Sequence, residues 1–377
     1  MVLHAPCILL PKDNWKKWAV IACDQHTEDK EYWKRVEEFV GNTPSTLRLI
    51  YPEIYLPLNE SRVERIHKCM KDYRPFLVDQ GPCFILVKRF VSGKKRSGLV
   101  VAVDLEDYAF DGSDSFIRPT EKTIKERLPA RVKIREGAEI ELSHVLVLYD
   151  DPTFSVLPEV IGNPVYDFEL MEAGGHITGY RIREEKTIKE ISEKIQALGF
   201  LLVGDGNHSL AAAKSFWEKI KGSVPENHPA RYAMVELVNI HDPGLTFEPI
   251  HRVVKGVEPE KLLQSFGAKI EKSPTGHSIG FVSKDKCGYL IFSEPKYELE
   301  VETLDGLIDG YSVEYEHDPQ IVTKLGKMPE NIGFFLPALK KNEFFSLIEK
   351  KGVLPKKSFS LGEENEKRYY IEARRII

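Results

Sequence analysis

Residues 201–213, Leu-Leu-Val-Gly-Asp-Gly-Asn-His-Ser-Leu-Ala-Ala-Ala, pass from an apolar run through a Gly-Asp-Gly turn into an Ala-rich segment. The run is short enough for a buried strand, the glycines punctuate it, and the alanines favour a helix. Polar groups are therefore collected where a strand hands over to a helix. A first helical turn has backbone N–H groups without intrahelical partners and carries the positive end of the dipole, so this joint suits a phosphate or another anion. Gly204 and Gly206 let a ligand approach the backbone. Asp205 is a candidate for Mg2+ or for orienting a hydroxyl, Asn207 for the helix cap, and His208 with Ser209 for donation to phosphate oxygens. The same letters also make an ordinary tight turn with Asn207 as its cap.

A chain of 377 residues predicts two or three lobes. We place them at 1–110, an N-terminal α+β lobe, at 111–255, a phosphate-binding core, and at 256–377, a C-terminal α+β lobe. The net charge of −5 offers no general attraction for nucleic acid or anionic membranes. Cys7, Cys23, Cys69, Cys83 and Cys287 are scattered, without a C-x-x-C pair, which speaks against a disulfide framework or thiolate zinc site and for a reducing cytoplasm. The start is too short for a signal sequence, and no apolar run approaches the ~20 residues that span a bilayer.

Along the chain, 15–23 reads as a strand ending at Asp24-Gln25-His26-Thr27, a second polar cluster. Tyr32, Trp33, Val36, Phe39 and Val40 have helical spacing. Residues 47–56 read as extended, and Asn59 or Ser61 starts a helix through Val63, Ile66 and Met70. Runs at 84–91 and 98–105 predict a hairpin. Pro119 and Thr120 are a possible helix start amid Arg118, Lys122, Arg127 and Arg131, a charge run that is otherwise a solvated face. Strands are expected at 145–149 and 231–240, and a helix at 188–198 stopping at Gly199. His251 and Arg252 stand in an apolar context, where a buried Arg is either half of an internal salt bridge or an anion contact. A helix is expected near 343–350, and the charged tail 362–375 reads as a solvated helix or strand. This order of elements predicts a mixed α/β fold, with mixed sheets and flanking helices and a polar turn at a sheet edge where ligands commonly bind.

Cys23-Asp24-Gln25-His26-Thr27, Pro44-Ser45-Thr46-Leu47 with Pro52-Glu53, residues 118–123, Asp150-Asp151-Pro152, Gly204 to His208 and Pro249 to Arg252 together resemble the domain of unknown function 1015 family, over nearly the whole chain. The family's turn commonly reads Asp-Gly-His-His-Arg, and similar turns occur in free L-serine kinases and in the wider ParB and sulfiredoxin-like superfamily, where they handle phosphates. The resemblance implies a ParB/sulfiredoxin-like phosphate-binding core with additional lobes. It implies a catalytic Glu121 in Pro119-Thr120-Glu121, and Asp205 to Ser209 as the phosphate turn. This chain departs from that turn at Asn207 and Ser209, and the missing guanidinium removes a bidentate phosphate contact.

The leading expectation is a small-molecule phosphotransferase, a kinase for free L-serine using ATP, ADP or pyrophosphate with Mg2+. Glu121, Asp205 and His208 carry the chemistry, with Asp205 on the metal. Gly206, Asn207, Ser209, Arg118, Thr120, Thr123, Arg127 and Arg131 hold phosphate, and Asp24, His26, His251 and Arg252 hold the acceptor. A metal-dependent phosphoester hydrolase is the second reading, from Asp24-Gln25-His26 and Gly206-Asn207-His208; it lacks the further carboxylates a two-metal site requires. A non-catalytic nucleotide- or DNA-binding protein is the third, against which stand the acidic balance and the missing helix-turn-helix.

Overall fold

The computed structural model describes residues 3–23, 26, 29–55, 59–111, 114–123, 125–142, 145–159 and 162–376. The chain divides into two compact units. One comprises Met1–Thr246, Ile348–Val353 and Gly362–Ile377, the other Phe247–Leu347 and Leu354–Leu361. These limits fall elsewhere than at 110 and 255, because one sheet of the first unit draws strands from both sides of residue 110.

Among the described residues, that sheet has nine strands. Its order is Ile117–Pro119, Leu201–Asp205, Val145–Tyr149, Tyr232–Asn239, Lys94–Asp104, Phe84–Val91, His176–Ile182 and Tyr166–Glu169, with Leu3–His4 also paired to Lys94–Asp104. Leu201–Asp205 is parallel to Ile117–Pro119, and Tyr232–Asn239 is parallel to Val145–Tyr149, while the remaining pairs are antiparallel. Side chains alternate between two cores, as a pleat requires. Phe84, Leu86, Leu99, Val101 and Val103 enter one core. Ile85, Val87 and Val100 enter the other. The first is covered by Ile191 and Ile195 of the helix Glu185–Ala197 and by Leu210, Ala213 and Trp217 of the helix Asn207–Ile220. The second is covered by Tyr32, Trp33, Val36 and Val40 of the helix Lys30–Val40. Burial on both faces explains why these strands read as continuous apolar runs. The fold is mixed α/β, as the sequence predicts.

The tail is not solvated. Ala373–Arg375 is an interior strand of a four-stranded antiparallel sheet, between Cys7–Pro11 and Ile140–Leu142, with Leu77–Pro82 at the edge beyond Cys7–Pro11. Its charges are buried against partners from distant segments. Arg368 pairs with Glu236 at 2.9 Å and with Glu372, and Arg374 pairs with Glu141. Each offsets part of the other's desolvation cost, so a run of charges is buried without being apolar.

Three other expectations are corrected. Residues 15–18 form a short helix, Trp15–Trp18, rather than a strand, because Trp18 is buried and donates its indole N–H to the Ile371 carbonyl at 2.8 Å. Thr46–Arg48 and Glu53–Tyr55 are 3-10 turns instead of extended chain. Pro119 ends a strand, and the α-helix after it begins only at Leu128, behind the 3-10 turn Lys125–Arg127. Asn59 does cap the helix Glu60–Asp72, accepting the Arg62 N–H.

The second unit holds a six-stranded antiparallel sheet, Lys269–Glu271, Cys287–Ile291, Ser278–Val282, Asn331–Phe335, His251–Lys255 and Ser312–Glu316, and the two-stranded pair Phe247–Pro249 with Phe359–Leu361. Its core includes Val254, Leu263, Phe281, Leu304 and Phe334. Among the described residues no helix is long and apolar enough to cross a membrane.

Candidate active site

The parallel pair Ile117–Pro119 and Leu201–Asp205 runs in register as Ile117/Leu201, Arg118/Leu202 and Pro119/Val203. Two residues past the last pair stand Glu121 on one chain segment and Asp205 on the other. Thr120 between them is fully buried and donates its hydroxyl to the Val203 carbonyl at 2.6 Å, locking the two strand ends together. Glu121 itself is half-buried. Residues far apart in the sequence are thus brought to one end of a strand pair by its register.

The helix Asn207–Ile220 begins at Gly206, which sits at φ 87° as the residue before the first turn. This corrects the expectation that Asn207 is the cap: Gly206 holds the cap position, and having no side chain it makes no side-chain cap hydrogen bond. A Cβ on Gly206 would lie 3.1 Å from Val145 Cγ2, so both backbone angle and space call for glycine. Asp205 accepts the Gly206 N–H at 2.8 Å, and the Gly206 carbonyl accepts from Ser209 and Leu210, each at 3.0 Å. Asn207 turns its Nδ2 towards Thr120 Oγ1 at 3.5 Å, while its Oδ1 is buried with no hydrogen-bond partner. Thr123 Oγ1 is likewise buried without one.

The tail supplies a cation. Lys367, with a side chain only 10% exposed, brings its Nζ to 3.5 Å from Asp205 Oδ2, whose side chain is 43% exposed. The segment around it is held by Arg89, whose guanidinium donates to the carbonyls of Gly174 at 3.0 Å, Glu366 at 3.0 Å and Lys367 at 2.6 Å, and also to that of Asn365. Three residues before Lys367, Glu364 approaches His26 Nδ1 at 3.9 Å. His26 is buried, stacked on Tyr32 at 3.6 Å, and burial lowers its pKa against the pull of Glu364 and Asp29. The tail therefore runs past both His26 and Asp205, and this is the residue set that sequence reasoning missed. No local spacing ties Lys367 to Asp205.

The remaining predicted residues divide. Arg118 pairs with Asp114 at 2.6 Å, donates to the Ser115 carbonyl and lies over the Phe200 ring at 4.0 Å. Arg131 donates to the Arg127 carbonyl at 3.0 Å, and the helix after Arg127 packs through Leu128 on Ala211 and Ala212. His208 and Ser209 occupy the first helical turn. Asp24 lies outside the described residues. His251 and Arg252 belong to the second unit, where Arg252 is fully buried, pairs with Asp305 at 3.0 Å and donates to the Ile250 carbonyl at 2.6 Å. Of the two alternatives for this arginine, the internal salt bridge is the one observed.

Among the described residues no group of three His, Cys, Asp or Glu side chains could hold a metal ion. Asp205 and the unpartnered Asn207 Oδ1 offer hard oxygens of the kind Mg2+ takes alongside phosphate oxygens and water, so the residues present fit a phosphate-bound Mg2+.

The family model described as protein of unknown function (DUF1015) matches residues 7–308. The chain belongs to that family. Similar solved structures include SbnI with C-terminal truncation from Staphylococcus aureus, at 14% identity over 70% of this chain and 82% of that one, TM-score 0.41. A conserved hypothetical protein from Pyrococcus furiosus shares 13% identity over 73% of this chain and 95% of that one, TM-score 0.40. A mutant free serine kinase in complex with ADP shares 13% identity over 72% and 91%, TM-score 0.42. No curated protein matches the sequence. Lys367 lies beyond the residues matched to the DUF1015 family.

Proposed function

We propose that this DUF1015 protein transfers a phosphoryl group from ATP, ADP or pyrophosphate to a small hydroxyl compound, with free L-serine the first acceptor to test. The observation that carries the reading is the placement of Glu121 and Asp205 at neighbouring strand ends, beside the start of the helix Asn207–Ile220. Acceptor and donor identities come from the resemblance at Cys23 to Thr27 and Gly204 to His208.

Phosphoryl transfer asks a protein mainly for positioning and charge neutralisation. The acceptor oxygen bonds to the terminal phosphorus as the bond from that phosphorus to the bridging oxygen breaks. The hydroxyl proton goes to the Glu121 carboxylate, and AMP, ADP or phosphate leaves. The first turn of the helix Asn207–Ile220, with the positive end of its dipole, faces the phosphate oxygens. Asp205 and Asn207 Oδ1 would hold Mg2+, which when bound neutralises charge on the donor. Thr120 keeps the two strand ends at a fixed spacing, and His26 lines the acceptor side.

Phosphorus NMR of the purified protein with Mg2+ and L-serine, run in parallel with ATP, ADP and pyrophosphate, tests this. An O-phosphoserine signal with one donor, lost in Asp205→Ala and Glu121→Ala, is the expected result. If no donor is consumed, the serine kinase reading fails. Donor consumption to phosphate without phosphoserine makes hydrolysis the better reading.

A further inference from the structure

The His26 side chain is 7% exposed, and its Nδ1 is buried without a hydrogen-bond partner. The residue is held in place. Tyr32 stacks on the ring at 3.6 Å, with its own hydroxyl committed to the Ile21 carbonyl, and Trp33 donates its indole N–H to the His26 carbonyl at 2.8 Å. A bare buried nitrogen carries a desolvation cost that a ligand donating to it would offset.

Two carboxylates stand before that nitrogen, Asp29 Oδ2 at 4.0 Å and Glu364 Oε2 at 3.9 Å. Their side chains are 42% and 58% exposed, so the group is buried at the imidazole and open towards solvent at the carboxylates. Asp29 spends its Oδ1 on the Tyr32 N–H at 2.9 Å, capping the helix Lys30–Val40, and keeps Oδ2 for the cluster. A third carboxylate acting on His26, that of Glu172, is matched by Arg35 at 3.2 Å. Among the described residues neither Asp29 nor Glu364 has a Lys or Arg partner.

The separations are too long for direct hydrogen bonds. They are also too wide for a metal ion, whose ligands at about 2.1 Å stand roughly 3 Å from one another. They suit acceptors that each lie about 2.9 Å from one shared nitrogen. Burial holds the ring below its ordinary pKa, so near neutral pH Nδ1 is able to accept. An ammonium brings three N–H donors and one positive charge to three acceptors, two of which are negative.

We infer that Asp29, Glu364 and His26 bind the ammonium group of a small primary amine. Its assignment to the phosphoryl acceptor rests on the phosphotransferase reading above, and makes that acceptor an amino alcohol. The same short stretch of tail that brings Glu364 to His26 brings Lys367 to Asp205.

Isothermal titration of the full chain with ethanolamine, L-serine and glycerol near neutral pH tests it. The two amines should bind, and glycerol, which has hydroxyls and no amine, should not. Asp29→Asn keeps a capping oxygen and Glu364→Gln alters an exposed side chain, so both variants should fold, as circular dichroism will check. Each removes one charge-assisted contact and should weaken both amines by about 10- to 100-fold. His26→Phe, which keeps a ring on Tyr32, should weaken them as well. Unchanged amine affinity in Asp29→Asn and Glu364→Gln overturns the inference, as does a wild type that binds neither amine or binds glycerol equally well. Phosphoryl transfer to glycerol as fast as to L-serine would sink the amine site and leave the transferase standing. Amine binding lost in both variants, with no transfer from ATP, ADP or pyrophosphate, would uphold the site and refute the transferase.

Discussion

The Thr120 hydroxyl donates to the Val203 carbonyl at 2.6 Å across two parallel strands, with Thr120 fully buried. This bond reinforces the strand pairing that spaces the segment bearing Glu121 from the segment bearing Asp205. Thr120→Val keeps the shape but leaves the Val203 carbonyl without this donor, at a cost of about 1–3 kcal/mol. Urea unfolding should show that loss, whereas Thr120→Ser should remain close to wild type. Phosphotransfer followed by phosphorus NMR should fall in Val and persist in Ser.

Gly206→Ala is expected to damage the site more than the fold. A residue with a Cβ resists φ 87° by about 1–2 kcal/mol, and the added carbon would press on Val145 at 3.1 Å. The turn must shift, carrying the first turn of the helix Asn207–Ile220 with it. Donor affinity measured by titration should drop at least tenfold while the far-ultraviolet circular dichroism is retained; unchanged affinity would remove the turn from the donor site.

Arg368→Met should be among the most destabilising single changes in the first unit. It strands Glu236 and Glu372, both at most 1% exposed, without their main counter-charge. Breaking a buried pair from one side costs about 3–5 kcal/mol. Lys186→Ala, which removes an exposed pair with Glu190 at 3.8 Å, should stay within about 0.5 kcal/mol. Denaturant midpoints for the two variants measure the contrast.

The second unit should lose stability on mild acidification. His251 is buried and its Nδ1 accepts the Leu336 N–H at 3.1 Å, which requires a neutral ring. Burial, and next the charge of Arg252, push its pKa down to about 4 from an ordinary 6.5. Below 6.5 the unfolded chain takes up a proton that the folded unit refuses, so this contribution declines between about pH 6.5 and 4 and is level below. Glu316, opposite His251 in the sheet, has a pKa raised by burial and by Glu314, and favours the folded state as it protonates. Thermal melts across this range should show the decline, and His251→Phe should flatten it while lowering stability throughout.

What was legible in the sequence is what local pattern can encode. Leu201–Asp205 and Val145–Tyr149 announce themselves as uninterrupted apolar runs, since the sheet is covered on both faces, and Asn59 announces its helix by the capping oxygen. The Gly-Asp-Gly turn is found where its letters suggest. The tail was misread because Arg368, Glu372 and Arg374 look solvated until Glu236 and Glu141, from remote strands, are brought against them. Lys367 was invisible for the same reason. Trp15 and Trp18 favour a strand by type, and tertiary burial of Trp18 under Ile371 overrides that preference.

The strand Ala373–Arg375 lies inside a sheet whose neighbours are Cys7–Pro11 and Ile140–Leu142. During synthesis those neighbours leave the ribosome long before the strand that joins them. The early sheet must therefore wait with two unpaired edges, exposed to strand exchange with other nascent chains, until the late segment arrives. The same arrival delivers Lys367 to Asp205. Assembly of the four-stranded sheet and the pairing of Lys367 with Asp205 thus wait on the same late segment of the chain.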